Sequence, residues 1–441
     1  MNFSWGNEGG IPTPFKAFIM EQDSGETKNF KVGLIATIVL VGFLAAVASR
    51  YVLAYYDNFA YPYNTFLFIP SDHFMDFFNP YRFNQALIPY SSGFGIAYFP
   101  FTQVIFYLLG LVFREKVAYV VSMVLFLGLF VTLIRNYAVD SILNKFFKFQ
   151  VLIILSFLSY PLITVVDRGN IEFGLFAFLL LFFYLYYERR SRWSFLFLAM
   201  AISTKLYPAT LLVLLISERK YRQAVYTALT AVAITLGSYW FLAHISGNTL
   251  LGEMRLHIEN LRIFAQAADT NNGIRFGHTI WGMIAGVNNI FLGNRFDLNA
   301  ISSYYSVVTV LAFAGIAAYV VFLEKAVWRK VTLLIIAMIM LPNGSYDYTM
   351  INLFIPLVLF LNTNTKRQDS IAYSLLFGLL MIPVNYYYLI NDVSISIFIY
   401  PLIMCTIMFS IMTQGIKRAT AYNHSLGRLP KEHQVEATGS Q

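Results

Sequence analysis

The sequence is poor in cysteine and in charge, and both shortages narrow the kind of protein that it can encode. Cys405 is the only cysteine among 441 residues, which excludes a disulfide framework and a cysteine-based metal site. Charged residues make up 12% of the chain and hydrophobic residues 58%, whereas about a quarter of the residues in an ordinary soluble domain are charged. A bilayer can solvate so much apolar surface, and a soluble interior of this size cannot.

Several functional signatures are also missing. No Walker motif, glycine-rich dinucleotide loop, zinc-ligand spacing or Gly-x-Ser-x-Gly sequence occurs, which argues against direct use of a nucleotide. Residues 1–29 contain no apolar run followed by a cleavage site, so we expect no cleavable signal peptide. The net charge of +8 does not indicate nucleic-acid binding, because many lysines and arginines lie in short connections between apolar runs.

What the sequence does contain is a long series of apolar runs. We interpret them as helices, because a backbone exposed to lipid must satisfy its own hydrogen bonds. The series predicts an all-α polytopic membrane protein with about 12 transmembrane helices and short re-entrant or juxtamembrane helices. The runs fall at roughly 32–55, 97–113, 117–134, 149–166, 171–187, 194–217, 222–244, 301–323, 329–341, 350–361, 371–390 and 393–413.

Basic clusters between the runs give the predicted topology. Lys28 and Lys31 precede the first run. Further clusters lie at 188–192, 219–222, 325–330, 366–367 and 417–418. The positive-inside rule assigns these clusters to the cytoplasm. Alternation of the runs then leaves two long loops outside, at about 56–96 and 245–300.

The same topology divides the chain into three parts. We predict a cytoplasmic N-terminal segment at 1–30, one transmembrane domain at 31–415 and a flexible cytoplasmic tail at 416–441. Short connections near Asp347 and Asp392 are predicted to lie outside. Both termini are therefore expected in the cytoplasm.

Residues 194–217 do not fit simple alternation, because basic clusters flank them on both sides. The run is too short for two full spans of about 20 residues each, and it contains Pro208, so we predict two half-helices that meet at Lys205–Pro208. The run at 97–113 must then be re-entrant or lie on the surface. In the alternative topology 97–113 crosses and 194–217 is one span, which puts 188–192 outside.

Two carboxylates in the first outer loop are candidate catalytic groups. Asp72 and Asp76 are four residues apart, so they share one face if this stretch is a short helix. Desolvation among aromatic residues raises a carboxyl pKa towards the range useful to a general base. The alternative interpretation is that both are solvated acids of a polar loop.

Charged residues also lie at or inside the apolar runs. The segment Asp167–Glu172 stands at a tight turn, where its charges either pair with one another or present Arg168 and Asn170 to an anionic or polyhydroxylic ligand.

Lys205 lies far from polar sequence on either side. A lysine at membrane depth is costly and indicates function. A phosphate partner explains both its depth and its charge, and snorkelling to the interface is the alternative.

Two further outer segments are candidates for sugar contacts. In the loop at 245–300 the polar side chains show no metal-ligand spacing, and most are expected to belong to an ordinary loop; His278 lies in the segment Gly277–Gly282, which also carries a tryptophan. The sequence Pro342–Tyr348 predicts a tight turn with an acid, Asp347, and two tyrosines. Its predicted position on the outer side of the membrane makes this turn a candidate for sugar contacts.

Taken in order, these segments resemble the GT-C glycosyltransferases, in particular family 87, which includes bacterial polyprenyl-phosphate-dependent mannosyltransferases. The resemblance covers residues from about 30 to 415. It is carried by the acidic first outer loop, Tyr98-Phe99-Pro100, Gly169-Asn170, Lys205-Leu206-Tyr207-Pro208 and Pro342–Tyr348. This chain departs from the family pattern at Asn170-Ile171-Glu172, and it has Tyr346 and Asp347-Tyr348 where the family has Trp and His.

The resemblance implies an active site on the outer face of the bacterial plasma (inner) membrane, a polyprenyl-phosphate-linked sugar as donor, an envelope glycan or glycolipid as acceptor, and no cofactor or metal. It implies an inverting displacement in which Asp72, or Asp76 if the match is displaced by one turn, is the general base. Lys205 with Arg168 is expected to hold the donor phosphate. Expected substrate-binding residues are Tyr98, Asn170, Glu172, His278, Asp347 and Tyr348.

Two other functions remain open at this stage. A transporter or flippase of lipid-linked sugars also needs cations at depth and an aromatic cavity. A polysaccharide polymerase or ligase also acts outside on polyprenyl-linked substrates.

Overall fold

The computed structural model of the protein describes residues 25–91, 97–268, 277–384 and 393–426. Within these ranges the regular elements are helices, so the predicted all-α class is confirmed. The α-helices are α1 (Gly25–Tyr55), α2 (Met75–Gln85), α3 (Pro100–Val112), α4 (Glu115–Leu133), α5 (Lys145–Phe157), α6 (Tyr160–Arg168), α7 (Glu172–Phe183), α8 (Ser194–Thr204), α9 (Leu212–Ser217), α10 (Tyr221–Ser246), α11 (Leu250–Ala268), α12 (Ile280–Ile290), α13 (Leu298–Phe322), α14 (Val327–Met340), α15 (Phe354–Leu361), α16 (Arg367–Leu380) and α17 (Ser396–Leu426). Short 3₁₀ helices occupy Pro70–Asp72, Tyr207–Leu211 and Asp347–Leu353, and π-helical turns occupy Ile134–Ala138 and Tyr184–Glu188.

Fewer helices are long enough to cross a membrane than the apolar runs predict. Five described helices have the length and apolar character of a span, namely α1, α4 with its π-turn, α10, α13 and α17. A sixth span results if α5 and α6, which are bent by 48° at their junction, are counted as one broken helix. These helices identify a membrane protein, but the predicted number of about 12 spans is not confirmed.

Two of the predicted spans, at 329–341 and 350–361, are instead short helices that are apolar because protein surrounds them. Helix α14 has 14 residues, and every residue from Trp328 to Met340 is buried. Its length is roughly 21 Å, at about 1.5 Å per residue, against about 30 Å for the hydrocarbon core of a bilayer. All residues of α15 are buried as well. An apolar run therefore marks burial in this chain without showing whether lipid or protein provides it.

The predicted break within 194–217 is present. Helix α8 ends at Thr204, Lys205 is extended with φ −150° and ψ 143°, and a 3₁₀ helix then begins at Tyr207. Pro208 lies in the first turn of that helix, where its missing N–H costs no hydrogen bond. The break exposes Lys205 at the junction of two short helices.

A glycine turn joins the segments that carry the charged residues of the site. Gly169 follows α6 in the left-handed region, with φ 63°. A Cβ added there would lie 3.0 Å from the Cβ of Phe77 and 3.1 Å from a ring carbon of Tyr119. Glycine is therefore required both by the conformation and by the close packing of the first outer loop on α6.

Some predicted segments extend outside the described residues, and one boundary differs. Residues 1–24 of the predicted N-terminal segment, Asp392 and residues 427–441 of the predicted tail are not described. Helix α17 continues to Leu426, so residues 416–426 are helical where a flexible tail was predicted.

Candidate active site

The two predicted catalytic carboxylates lie on different elements of the first outer loop. Asp72 ends a 3₁₀ helix, whereas Asp76 lies in the first turn of α2. Phe74, which has a left-handed φ of 61°, separates the two elements. The prediction that both acids share one face of a short helix is therefore wrong, because a residue in the left-handed region interrupts the helix between them.

Arg168 nevertheless brings the two carboxylates together. Its Nη1 donates to Asp72 Oδ2 at 2.7 Å and to the backbone oxygen of Asp72 at 3.2 Å, and its Nη2 donates to Asp76 Oδ1. The ring of Phe68 covers the guanidinium, whose central carbon lies 3.8 Å from the ring centroid. The planar fork of arginine suits this double contact, and its charge offsets the repulsion between the two acids. We call Asp72 and Asp76 the carboxylate pair.

Asn170 connects the carboxylate pair to Lys205. Its amide nitrogen donates to Asp76 Oδ2 at 2.7 Å and to the Tyr98 hydroxyl at 2.9 Å. Its amide oxygen accepts from Lys205 Nζ at 3.1 Å and from the backbone N–H of Glu172 at 3.1 Å. These four contacts use the full hydrogen-bonding capacity of an amide side chain, so Asn170 orients Asp76 and Lys205 relative to each other.

The Lys205 ammonium is paired with a completely buried acid. Nζ donates to Glu172 Oε2 at 2.7 Å, and the Glu172 side chain has no exposed surface. The other oxygen of Glu172 accepts from the Tyr207 hydroxyl and from Asn352 Nδ2, the latter at 2.6 Å. An ammonium has three protons, and here Asn170 and Glu172 take two of them. The third proton can be donated to a ligand.

Aromatic rings enclose the Lys205 ammonium. Nζ lies 5.0 Å from the ring centroid of Tyr348, 5.8 Å from that of Tyr207 and 5.9 Å from that of Tyr98. The side chain of Lys205 is 15% exposed. Rings at these distances attract the cation and exclude water from it, so an anion that reaches this point interacts with the lysine at a low local dielectric.

A second buried acid lies in the turn after α14. Asp347 Oδ2 accepts from the Tyr160 hydroxyl at 2.7 Å, and Oδ1 lies 3.4 Å from Nδ1 of His278. Nε2 of His278 lies 3.2 Å from the Ser345 hydroxyl and 3.1 Å from the Thr349 hydroxyl. We call these five residues the Asp347 network. All of them are buried, with no exposed surface on His278.

One cavity of about 670 Å³ is bordered by the carboxylate pair, Arg168, Lys205 and Asp347. Its wall comes from residues between 66 and 99, from α6, from the break at 205–207, from α11 and from the turn at 342–349. The volume lies within the range of about 300–1,000 Å³ that small-molecule sites occupy. The charged residues of the lining are Asp72, Asp76, Asp167, Arg168, Lys205 and Asp347.

Comparison with known proteins identifies the family to which the chain belongs. The sequence model of glycosyltransferase family 87 matches residues 96–342, which is more than half of the chain. The chain belongs to glycosyltransferase family 87. The predicted family is thereby confirmed. No curated protein and no solved structure matches the chain. The matched segment includes Arg168 and Lys205, whereas Asp72, Asp76 and Asp347 lie outside it.

The glycosyltransferase places the predicted site residues in two layers. Seven of the predicted site residues line the cavity, namely Asp72, Asp76, Tyr98, Arg168, Lys205, Asp347 and Tyr348. Asn170, Glu172 and His278 do not line it and lie behind Asp76, Lys205 and Asp347. For these three residues the contacts favour a supporting role over the predicted contact with substrate.

Sequence reasoning missed several residues of the family 87 site. Tyr160 and Asn352 contact Asp347 and Glu172, but both lie in apolar stretches that give no local signal of function. Asp167 binds the first outer loop: its Oδ2 accepts from the backbone N–H of Phe68 at 2.8 Å, and its Oδ1 contacts the His73 ring.

Helix α11 of the enzyme covers part of the cavity. Leu261 and Phe264 line the cavity, and the buried His257 stacks on Tyr90 with ring centroids 4.7 Å apart. Burial lowers the pKa of His257 to about 4, so the imidazole is neutral at pH 7. The histidine therefore acts as a packing and hydrogen-bonding residue. Asp269, Asn272 and Arg275, which follow in the same predicted loop, lie outside the described residues.

Proposed function

We propose that this family 87 glycosyltransferase moves one sugar from a polyprenyl-phosphate-linked donor to a glycan or glycolipid acceptor. The observation that carries the proposal is the cavity itself, which is lined both by the carboxylate pair and by the Lys205 ammonium. A single displacement at an anomeric carbon requires a base for the acceptor hydroxyl and charge stabilisation for the departing phosphate. Both groups border the same space here.

Asp72 is the better base of the carboxylate pair. Asp76 is 17% exposed, and its two oxygens accept from Arg168 and Asn170. The side chain of Asp72 is 40% exposed, and among the described residues only one of its carboxylate oxygens accepts a hydrogen bond, from Arg168. The acceptor hydroxyl would attack the anomeric carbon while its proton passes to Asp72. The bond from that carbon to the phosphate oxygen breaks, and the configuration is inverted.

Lys205 is the proposed partner of the donor phosphate. Its third ammonium proton can be donated to a phosphate oxygen, and the surrounding rings keep water from competing. Negative charge grows on the phosphate as the sugar leaves, so a fixed cation stabilises the transition state more than the bound donor. The buried Glu172 limits the net positive charge at this point, which favours release of the product phosphate.

The apolar part of the lining suits the polyprenyl chain. Phe66, Phe68, Met75 and Leu206 line the cavity together with the charged groups. Leu206, which follows Lys205 directly, is 60% exposed. An exposed leucine beside a buried ammonium matches an amphipathic ligand whose phosphate lies inside the protein and whose lipid chain extends into the bilayer.

We propose that the site faces the outside of a bacterial plasma (inner) membrane, with both termini in the cytoplasm. Two arguments support this orientation. The three segments that charge bias predicts to be outer, at 56–96, 245–300 and 342–348, all contribute residues to the cavity. The predicted cytoplasmic clusters contribute none of the lining residues that the structure describes.

Arg168 is proposed to position the carboxylate pair, in place of the predicted contact with the donor phosphate. Arg168→Lys is expected to lower kcat about 10²-fold, because a point cation cannot hold both acids and a small misplacement of the base is costly. The Michaelis constant for the donor should stay close to the wild-type value. A strong rise in that constant with little change in kcat would show that Arg168 binds the phosphate directly.

The donor class is tested with purified protein in lipid. We expect consumption of at least one polyprenyl-phosphate monosaccharide, from a panel carrying mannose, glucose or arabinose, when a glycolipid extract of the envelope is supplied as acceptor. Nucleotide sugars should give no product under the same conditions, because the sequence carries no nucleotide-binding motif. Transfer of oligosaccharide blocks, with no use of monosaccharide donors, would favour a polymerase or ligase instead.

A further inference from the structure

The Asp347 network contains an acid that the proposed displacement leaves without a role. Asp347 is 4% exposed and yet lines the cavity. A carboxylate this deeply buried is costly unless its oxygens are bonded. A carboxylate has about four acceptor positions, and among the described residues Asp347 accepts one hydrogen bond from Tyr160 and has one long contact with His278. Acceptor capacity therefore remains on the cavity side.

The position of Asp347 relative to Lys205 indicates which part of a ligand it meets. The next residue, Tyr348, has its ring 5.0 Å from Lys205 Nζ and also lines the cavity. Asp347 and the Lys205 ammonium therefore border the same cavity, and the residue next to Asp347 in the chain contacts the proposed phosphate position. A group bonded directly to that phosphate would lie in the cavity that Tyr348 and Asp347 also line.

The charge of Asp347 selects among possible ligand groups. A second phosphate would be repelled by a buried carboxylate. Sugar hydroxyls are hydrogen-bond donors, and a carboxylate can accept from two neighbouring hydroxyls at once. The ring face of Tyr348 offers an apolar surface for the C–H face of the same sugar.

We propose that Asp347 binds hydroxyls of the transferred sugar of the donor and thereby sets donor specificity. This inference rests on the proposed function, since it places that sugar next to the phosphate at Lys205. The acceptor is assigned to the side of the transferred sugar opposite the phosphate, because its hydroxyl must reach Asp72 on the first outer loop. His278 is a positioning residue: with its Nδ1–H directed at Asp347, its Nε2 accepts from the Ser345 or Thr349 hydroxyl.

The test compares Asp347→Asn with wild type on polyprenyl-phosphate mannose and polyprenyl-phosphate glucose, which differ at a single hydroxyl. For the preferred donor we expect kcat/KM to fall about 10- to 100-fold, the loss typical of one hydrogen bond to a charged group. The preference between the two donors should shrink towards equality. The Michaelis constant for the acceptor should not change.

Two further variants separate recognition from folding. Tyr160→Phe removes the hydroxyl that donates to Asp347 and should reduce the same donor preference by a smaller factor. Glu253→Gln alters another acid that is 1% exposed but does not line the cavity, and it should leave the preference intact. Melting curves of all variants identify any that fail to fold.

Failure of the Asp347 assignment and failure of the proposed function give different results. If Asp347→Asn keeps the wild-type donor preference, or if it changes only the acceptor constant, the assignment of Asp347 is overturned while the proposed function stands. If the wild type consumes both donors equally well, Asp347 does not set specificity. If the wild type consumes no lipid-phosphate sugar and binds none, the proposed function fails and the donor-sugar assignment fails with it.

Discussion

Asp72→Asn is expected to lower kcat for sugar transfer by about 10²–10⁴-fold, the range that a positioned general base contributes. An asparagine has the same shape, and its carbonyl oxygen can still accept from Arg168 Nη1, which donates to the carboxylate at 2.7 Å in the wild type. The variant should therefore bind donor normally and fold normally, since the Asp72 side chain is 40% exposed. The measurement is the transfer rate of purified protein in lipid, with melting temperature as a check on folding.

Asp57→Asn is the matched control for this experiment. Asp57 is an exposed acid of the same outer loop that does not line the cavity, so its replacement should leave kcat unchanged. Full activity of Asp72→Asn together with an inactive Asp76→Asn would move the base to Asp76. Full activity of both variants would mean that neither carboxylate removes the proton.

Lys205→Met is expected to have two separable effects. Transfer should fall about 10²–10³-fold, because the phosphate loses its fixed cation. The protein should also lose about 3 kcal/mol of stability, because Glu172, which has no exposed surface, is left without its cation. The double variant Lys205→Met/Glu172→Gln removes the buried charge as well. Its melting temperature should recover, and its activity should not.

A second buried lysine provides the control. Lys28 is 6% exposed, bonds to Asp140 and Asn362, and does not line the cavity. Lys28→Met should therefore lower the melting temperature and leave kcat unchanged in the protein that remains folded. Recovery of both stability and activity in the Lys205→Met/Glu172→Gln variant would contradict the catalytic role of Lys205 and assign it to structure alone.

The part of the site that could be predicted from sequence is the part with a local energetic signature. Lys205 stands out because an ammonium at membrane depth is costly wherever it lies in the fold. Pro208, three residues later, predicts the helix break that exposes it. The buried partner of Lys205, Glu172, is distant in sequence, and Glu172 in turn accepts from Asn352 only after folding. A single asparagine in an apolar stretch predicts no particular contact.

The predictions that were wrong or missing also concern contacts that form only after folding. Hydropathy measures how apolar a segment is and not what buries it, so α14 and α15 appeared as spans although protein surrounds them. The spacing of Asp72 and Asp76 suggested one helix, but Phe74 breaks that helix and Arg168 supplies the connection instead. Tyr160 was missed because a buried tyrosine is common in any core.

In the proposed reaction the sugar leaves its lipid phosphate within this protein. This step is tested most directly with a polyprenyl-phosphate sugar that carries one label on the sugar and another on the lipid. We expect the sugar label to appear in the acceptor in step with release of polyprenyl phosphate, which keeps the lipid label in the membrane. Movement of both labels together across the bilayer, without release of polyprenyl phosphate, would contradict the proposed reaction and identify a flippase.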